Sequence, residues 1–427
     1  MGLEDRLLHI SLFLALTLLF VSATFYYLIK KKPSLDSPIS FSLLLYFMYF
    51  FLSPVFDIVS NTTSMAETPL LSYYPFTQFV FLCAILSFIL SYELFNIPVL
   101  NITPTLKTKA LIINASLWEL TGLAGYFLWT RKLGISFFVI NPLKLSNFYL
   151  MLGETSRKVS GYLALSLLFL IPSSLMFLEL KIRKALRNLP ILILIINLIL
   201  FLTRGVRYII LIYGGSIILY YLRRTEKTLK KFHIIALFVS ALFVFSIIAY
   251  LRGAPSLSSL SLNTEFIMAF FTSSFSLFKP TAAIMRYIPH HHPFLLGESF
   301  LYTLILPIPR VIWPQKPYPE FLKILWKITG GRFFGYAVPN IGEYYANFGI
   351  PGVIVFMALL ALIFKTAYIT YRKYRKNEFV LMSYSIFLFY IFQIISRGYF
   401  PQIFVQGIYL FLPLVSLYLL NLQNSRK

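Results

Sequence analysis

The chain has 427 residues, of which 58% are hydrophobic and only 12% charged, with a mean hydropathy of +0.77; soluble domains carry about 25% charged residues, so an ordinary soluble fold is excluded. A net charge of +23 would suggest a nucleic-acid partner in a soluble protein, but the basic residues lie in short segments between apolar runs, which excludes that reading. Cys83 is the only cysteine, so the chain forms no intrachain disulfide and no thiolate metal cluster; its place in an apolar run makes it a packing residue.

Apolar runs of roughly 17–22 residues recur along the chain, each long enough to cross a hydrocarbon core about 30 Å thick. They predict an all-α polytopic membrane protein, a single transmembrane domain over 1–427 with about 11 spans, near 8–29, 39–59, 75–95, 110–129, 161–179, 188–203, 206–222, 232–251, 351–371, 379–396 and 402–421. The first run follows Glu4 and Asp5 and is too long for a signal-peptide core, so it is expected to be retained. Thr203-Arg204-Gly205-Val206-Arg207 is the whole turn between the sixth and seventh spans. Two intervening segments are longer. One runs from Thr130 to Ser160; the other, 252–350, is a large external loop between the eighth and ninth spans. The latter holds an amphiphilic stretch, Thr264 to Tyr287, expected to be helical, and a proline-rich region, Pro289 to Pro319, that cannot be regular helix throughout.

Lys30 to Lys32, Lys107 and Lys109, Lys181 to Arg187, Arg223 to Lys231, Lys365 to Lys376 and the Arg426-Lys427 end alternate onto one side of this arrangement and hold 21 of the 38 basic residues. The positive-inside rule makes that side cytoplasmic. The N-terminus is then outside, the C-terminus inside, and the protein sits in the cytoplasmic membrane.

The opposite side carries a second, less expected set of cations: Arg204, Arg207, Arg252, Arg286, Arg310, Arg332 and Arg397. Arginine offers a planar fork of donors suited to phosphate oxygens; each one alone could instead snorkel to the headgroups. Arg207 opens a predicted helix, where the dipole disfavours a cation, so an anionic partner is expected there. Glu298 and Glu343 lie on the same side, and Asp57 is a weaker third. A carboxylate near arginines can hold or deprotonate a hydroxyl while the arginines neutralise a departing pyrophosphate. The plainer readings are a salt bridge for Glu343 and a helix N-terminal charge for Glu298. His290, His291 and His292 are adjacent and lack the i, i+4 spacing of helical zinc ligands, so no metal site and no cofactor is expected. Trp313, Trp326, Tyr318, Tyr336, Tyr344 and Tyr345 are interfacial or packing aromatics that could also stack on sugar rings. The sequon at Asn61 is generic.

Three stretches carry a family resemblance: Gly297-Glu298-Ser299; Pro307 to Pro317, with Pro309-Arg310 and Trp313-Pro314-Gln315-Lys316-Pro317; and Gly342-Glu343-Tyr344-Tyr345-Ala346-Asn347-Phe348-Gly349-Ile350-Pro351-Gly352. This region, 297–352, resembles the oligosaccharide repeat-unit polymerases, the Wzy-type O-antigen and exopolysaccharide polymerases. The span count, the late external loop and the arginine-bearing turn fit the remainder more loosely. The resemblance implies a GT-C-like membrane glycosyltransferase, using neither metal nor nucleotide sugar, that moves a growing glycan from polyprenyl pyrophosphate onto a new lipid-linked repeat unit. It implies pyrophosphate binding by Arg204, Arg207, Arg252 and Arg310, to which Arg397 is added from its place in the last outer turn. It implies acceptor activation by Glu343, with Glu298 as the second carboxylate. Expected partners are the polyprenyl-pyrophosphate-linked oligosaccharide and membrane lipids; a chain-length regulator is left open.

Two other activities share some of these features. An O-antigen ligase moves a finished glycan from the same lipid to a different acceptor, with similar spans and outer arginines. A flippase or transporter of an anionic lipid-linked glycan would carry its charges deep in the bundle, whereas most of these spans lack charge at their centres.

Overall fold

A computed structural model describes residues 3–34, 36–101, 104–132, 161–183, 188–204, 206–226, 276–308, 312–331 and 337–423. They are helical apart from loops and a two-residue β-ribbon, Ser64–Met65 paired with Thr68–Pro69. Among the described residues, eight helices are long and apolar enough to cross a membrane: α1 (Leu3–Lys31), α2 (Pro38–Val59), α3 (Leu71–Leu94), α4 (Thr108–Arg131), α5 (Leu163–Ile182), and then, after five further described helices, α11 (Asn340–Lys373), α12 (Glu378–Ser396) and α13 (Phe400–Leu422). The protein is therefore a polytopic helical membrane protein, with eight candidate spans among the described residues.

The expected sixth and seventh spans are also helices, α6 (Leu189–Arg204) and α7 (Arg207–Arg224). α6 is 16 residues long, about 24 Å at 1.5 Å per residue, and α7 has Arg207, Arg223 and Arg224 within its ends, so neither joins the eight. The expected eighth span, 232–251, lies outside the described residues. The long loop supplies α8 (Phe278–Tyr287), α9 (Glu298–Ile305) and α10 (Glu320–Ile328). Among its described residues, the proline-rich region thus holds one short helix, α9.

Local chemistry accounts for the element boundaries. Ser37 caps α2, its side chain accepting from the Ser40 N–H at 3.3 Å, with Pro38 at the first helical position. Pro54 cannot donate within α2, and the turn before it, Met48–Leu52, widens to π-helix.

The chain divides into two compact units. The first comprises 1–98, 268–368 and 391–404. Its core is aromatic: Phe50 stacks on Phe81 at 4.0 Å, Phe20 meets Phe81 at 4.8 Å, and Phe278 of α8 meets Tyr74 at 4.8 Å. Inside a bilayer this packing is driven by van der Waals contact rather than by escape from water. At one end of the unit Lys31 pairs with Glu93 at 2.7 Å, and Lys365 Nζ donates to the Phe95 carbonyl at 2.7 Å. At the other end Lys279 pairs with buried Asp57 at 3.0 Å, Arg6 donates to Asn61 at 2.6 Å, and Arg286 donates to the Pro69 carbonyl at 2.8 Å.

The second unit comprises 99–267, 369–390 and 405–427. α4 and α5 touch at Gly122 and Gly125, where an added Cβ would lie 2.7 Å from Leu170 and 2.6 Å from Ser166; small residues permit this close approach. Buried Glu119 of α4 accepts from Ser173 of α5 at 2.6 Å. At the far end of α5, buried Glu179 is held by Arg183 at 2.6 Å, by Arg224 at 3.1 Å and by the Tyr220 hydroxyl, and Arg224 also reaches Glu378 at 3.0 Å. One cluster thereby ties the basic end of α5, the end of α7 and the start of α12, three points the charge pattern assigns to one side.

Candidate active site

The site is built around a break in α11. Gly349 and Pro351 interrupt that helix, with non-helical angles at Phe348 (φ −140°, ψ 16°) and Gly349 (φ 64°, ψ −152°). Pro351 has no N–H for the Asn347 carbonyl four residues earlier, and its ring excludes that carbonyl. The Asn347 carbonyl, and that of Ala346 before it, find partners in the loop before α9: Leu295 N–H donates to Ala346 O and Leu296 N–H to Asn347 O, both at 3.0 Å. The Asn347 side chain completes the junction, accepting from Gly297 N–H at 3.0 Å and donating to Ser299 Oγ at 2.8 Å and to the Glu343 carbonyl at 2.9 Å. Gly297 has φ +92° at the N-cap of α9, a conformation that favours glycine. Two segments about 50 residues apart are thus locked together, and each carries one of the expected glutamates.

Each glutamate is half satisfied. Glu343, fully buried in the first turn of α11, accepts from the Phe400 N–H at 2.8 Å through Oε2. Glu298, the first residue of α9, accepts from the Glu320 N–H at 3.3 Å through Oε1. Both donors are free N–H groups at helix starts, α13 and α10, where the dipole also favours a carboxylate. The second oxygens, Glu343 Oε1 and Glu298 Oε2, are buried with no donor at hydrogen-bond distance among the described residues; the Ser299 hydroxyl, which accepts from Asn347, is the side-chain donor that faces Glu343. Burial raises the Glu298 carboxyl above the ordinary range, against the opposing pull of the Glu320 N–H and Lys323. Buried polar atoms without partners are rare, and each calls for an explanation.

The turn between α12 and α13, Arg397-Gly398-Tyr399, forms the third side. Gly398 N–H donates to Val338 O at 2.7 Å. A Cβ on Gly398 would sit 2.2 Å from the Asn340 backbone, so the turn is pressed against the start of α11. Tyr399 stacks on Phe321 of α10 with centroids 6.0 Å apart and planes 9° from parallel. Its hydroxyl is buried and without a partner among the described residues. Burial, and then the charges of Glu343 and Glu298, push that phenol above its ordinary range. A small open cleft adjoins, lined by Phe321, Leu325, Val338, Arg397, Tyr399 and Gln402.

The structure therefore brings Glu343, Glu298 and Arg397 into one unit, around Tyr399. Arg204 ends α6 and Arg207 begins α7 in the other unit, as expected for that turn; Arg252, Arg310 and Arg332 lie outside the described residues. Asp57 is committed to Lys279, and Arg286 to the Pro69 carbonyl. Glu298 does begin a helix, as its plainer reading held, yet one oxygen remains unspent. His290 and His291 are exposed, and His292 Nδ1 lies 2.7 Å from the Pro293 carbonyl. Tyr344 and Tyr345 are buried packing residues, whereas Trp313, Tyr318 and Trp326 are exposed. Lys316 is buried and donates to the Leu306 and Ile308 carbonyls at 2.8 and 3.0 Å. Sequence reasoning missed Tyr399, Gly398 and the role of Asn347. A glycine and a tyrosine between two spans were the visible signal for the first two.

A polytopic helical bundle whose loop layer holds paired carboxylates beside an arginine-bearing cleft has the make-up of a membrane-embedded transferase. The family model described as O-antigen polysaccharide polymerase Wzy matches residues 7–425, nearly the whole chain, and the chain belongs to that family. It is accordingly a multi-pass membrane glycosyltransferase that polymerises lipid-linked oligosaccharide repeat units into polysaccharide; ligation and transport give way to this reading. No curated protein and no solved structure matches the chain at a significant level.

Proposed function

We propose that Glu343 receives the acceptor proton during polymerisation. A hydroxyl oxygen of the incoming lipid-linked repeat unit attacks the anomeric carbon of the growing glycan. The bond from that carbon to the pyrophosphate oxygen breaks, the hydroxyl proton passes to Glu343, and polyprenyl pyrophosphate leaves. The observation carrying this reading is the buried Oε1 of Glu343, with no donor at hydrogen-bond distance, on a carboxylate anchored through Oε2. A general base must be held in place and still have a free lone pair for the proton. Glu298 supplies the second acceptor oxygen for the same sugar.

Arg204, Arg207, Arg252, Arg310 and Arg397 are assigned to the pyrophosphate. Five guanidinium groups can neutralise the departing charge, so the transfer is proposed to be metal-independent. Arg397 is supported by its place on the cleft, and Arg207 by its cost at a helix start. The fuller architecture proposed is a single GT-C-like domain of 11 spans with an external loop over 252–350. Its N-terminus lies outside the cytoplasmic membrane and its C-terminus inside. The clustering of basic helix ends within each unit supports this topology.

The test is polymerisation by the reconstituted protein on purified lipid-linked repeat units, with EDTA present. Wild type is expected to give a product ladder that Glu343→Gln and Arg310→Lys each lose at unchanged protein level. A ladder abolished by EDTA and restored by a divalent cation would refute metal independence, and a full ladder from Glu343→Gln would refute its role as base.

A further inference from the structure

We infer that the Tyr399 hydroxyl, with Glu298 Oε2 and Glu343 Oε1, forms the subsite for the acceptor sugar, and that Tyr399 binds and orients the hydroxyl that reacts. The inference deepens the reading of Glu343 given above and rests on it.

Three polar atoms are buried without partners at this one place: two carboxylate oxygens, which accept, and a phenol, which both donates and accepts. Glu343 accepts from Phe400, the residue after Tyr399, and Glu298 from Glu320, the residue before the Phe321 on which Tyr399 stacks, so the three belong to one cluster. None of them is loose. Glu343 is held by the α13 start at 2.8 Å and Glu298 by the α10 start at 3.3 Å. Tyr399 is held by its parallel stack on Phe321 and by flanking anchors, Gly398 N–H on Val338 and Phe400 N–H on Glu343. A rigid set of unmet hydrogen-bonding atoms matches a ligand that brings several hydroxyls at fixed spacing. Adjacent hydroxyls of a pyranose can donate to two carboxylates and accept from a phenol at once. An apolar or purely anionic ligand cannot satisfy the carboxylates. Tyr399 also lines the cleft that contains Arg397, so the acceptor hydroxyl would meet the carboxylates next to a cation able to face the leaving pyrophosphate.

The test titrates the lipid-linked repeat unit as acceptor against a fixed amount of preformed polymer on the same carrier, using wild type, Tyr399→Phe and Glu343→Gln in liposomes. Losing one hydrogen bond to a neutral hydroxyl corresponds to about a 3–10-fold change. Tyr399→Phe, which keeps the stack on Phe321, should raise the acceptor KM by that factor and move kcat less, while Glu343→Gln should lose kcat. Binding is read separately in the inactive Glu343→Gln background, as the rise in Tm caused by the repeat unit. Adding Tyr399→Phe there should shift the half-saturating concentration upward by a similar factor, a change that altered packing alone would not produce. An unchanged acceptor KM and an unchanged half-saturation, with Glu343→Gln still inactive, would overturn the role of Tyr399 and leave Glu343 standing. Full activity of Glu343→Gln would remove the base and this subsite together.

Discussion

Replacing Gly398 by alanine should disable the enzyme through a single methyl group. The added Cβ would lie 2.2 Å from both Cα and N of Asn340 and 2.6 Å from the Pro339 carbonyl carbon. All three are backbone atoms at the start of α11, so no side chain can swing aside. Either the turn or the helix start must retreat by roughly 1 Å, and overpacking of this kind costs about 1–3 kcal/mol. The same movement stretches Gly398 N–H to Val338 O, now 2.7 Å, and Phe400 N–H to Glu343 Oε2, now 2.8 Å. A misplacement of about 1 Å at a reacting group costs on the order of 100-fold in rate. The assay pairs thermal unfolding in mild detergent with the product ladder in liposomes. Gly214→Ala is the control: nothing lies within 4 Å of its Cβ position in α7, so stability should hold or rise by about 0.5–1 kcal/mol. A Gly398→Ala protein with the wild-type ladder and unfolding temperature would refute the claim that this turn is clamped against the start of α11.

Other perturbations separate chemistry from architecture. Glu343→Gln keeps an oxygen for the Phe400 N–H and should unfold close to wild type while losing polymer. Glu343→Ala orphans that N–H and should lose about 1–3 kcal/mol as well, which thermal unfolding would detect. Glu179→Leu leaves Arg183 and Arg224 without their buried partner and should cost about 3–5 kcal/mol, with the activity of the folded fraction retained. Lys279→Met strands the buried Asp57 carboxylate and should destabilise by a similar amount, about 3–5 kcal/mol; adding Asp57→Asn should recover most of it, and a double-mutant cycle would measure the coupling.

The helices were legible because membrane crossing is a local property of length and apolarity. The apolar runs near 8–29, 39–59, 75–95, 110–129, 161–179, 351–371, 379–396 and 402–421 each fall within a described helix, to within a residue or two at the ends. Glu298 and Glu343 were legible from the segments that carry them. Their convergence was not, because it depends on carbonyls at the break of α11, that of Asn347 freed by Pro351, being taken up by a loop some 50 residues earlier. No periodicity reports such a pairing. Tyr399 was hidden for a related reason: an aromatic residue between two spans reads as an interfacial anchor, and only its unpartnered hydroxyl distinguishes it. Glu119 and Glu179 were passed over because each sits alone in an apolar run; their partners come from other helices.

The most direct test of the account is a cryo-electron microscopy structure of the Glu343→Gln protein with its lipid-linked repeat unit bound. The account predicts the terminal acceptor sugar seated against residue 343, Glu298 and Tyr399, with a hydroxyl at hydrogen-bond distance from each. A sugar bound elsewhere, with these three groups still facing only protein, would contradict it.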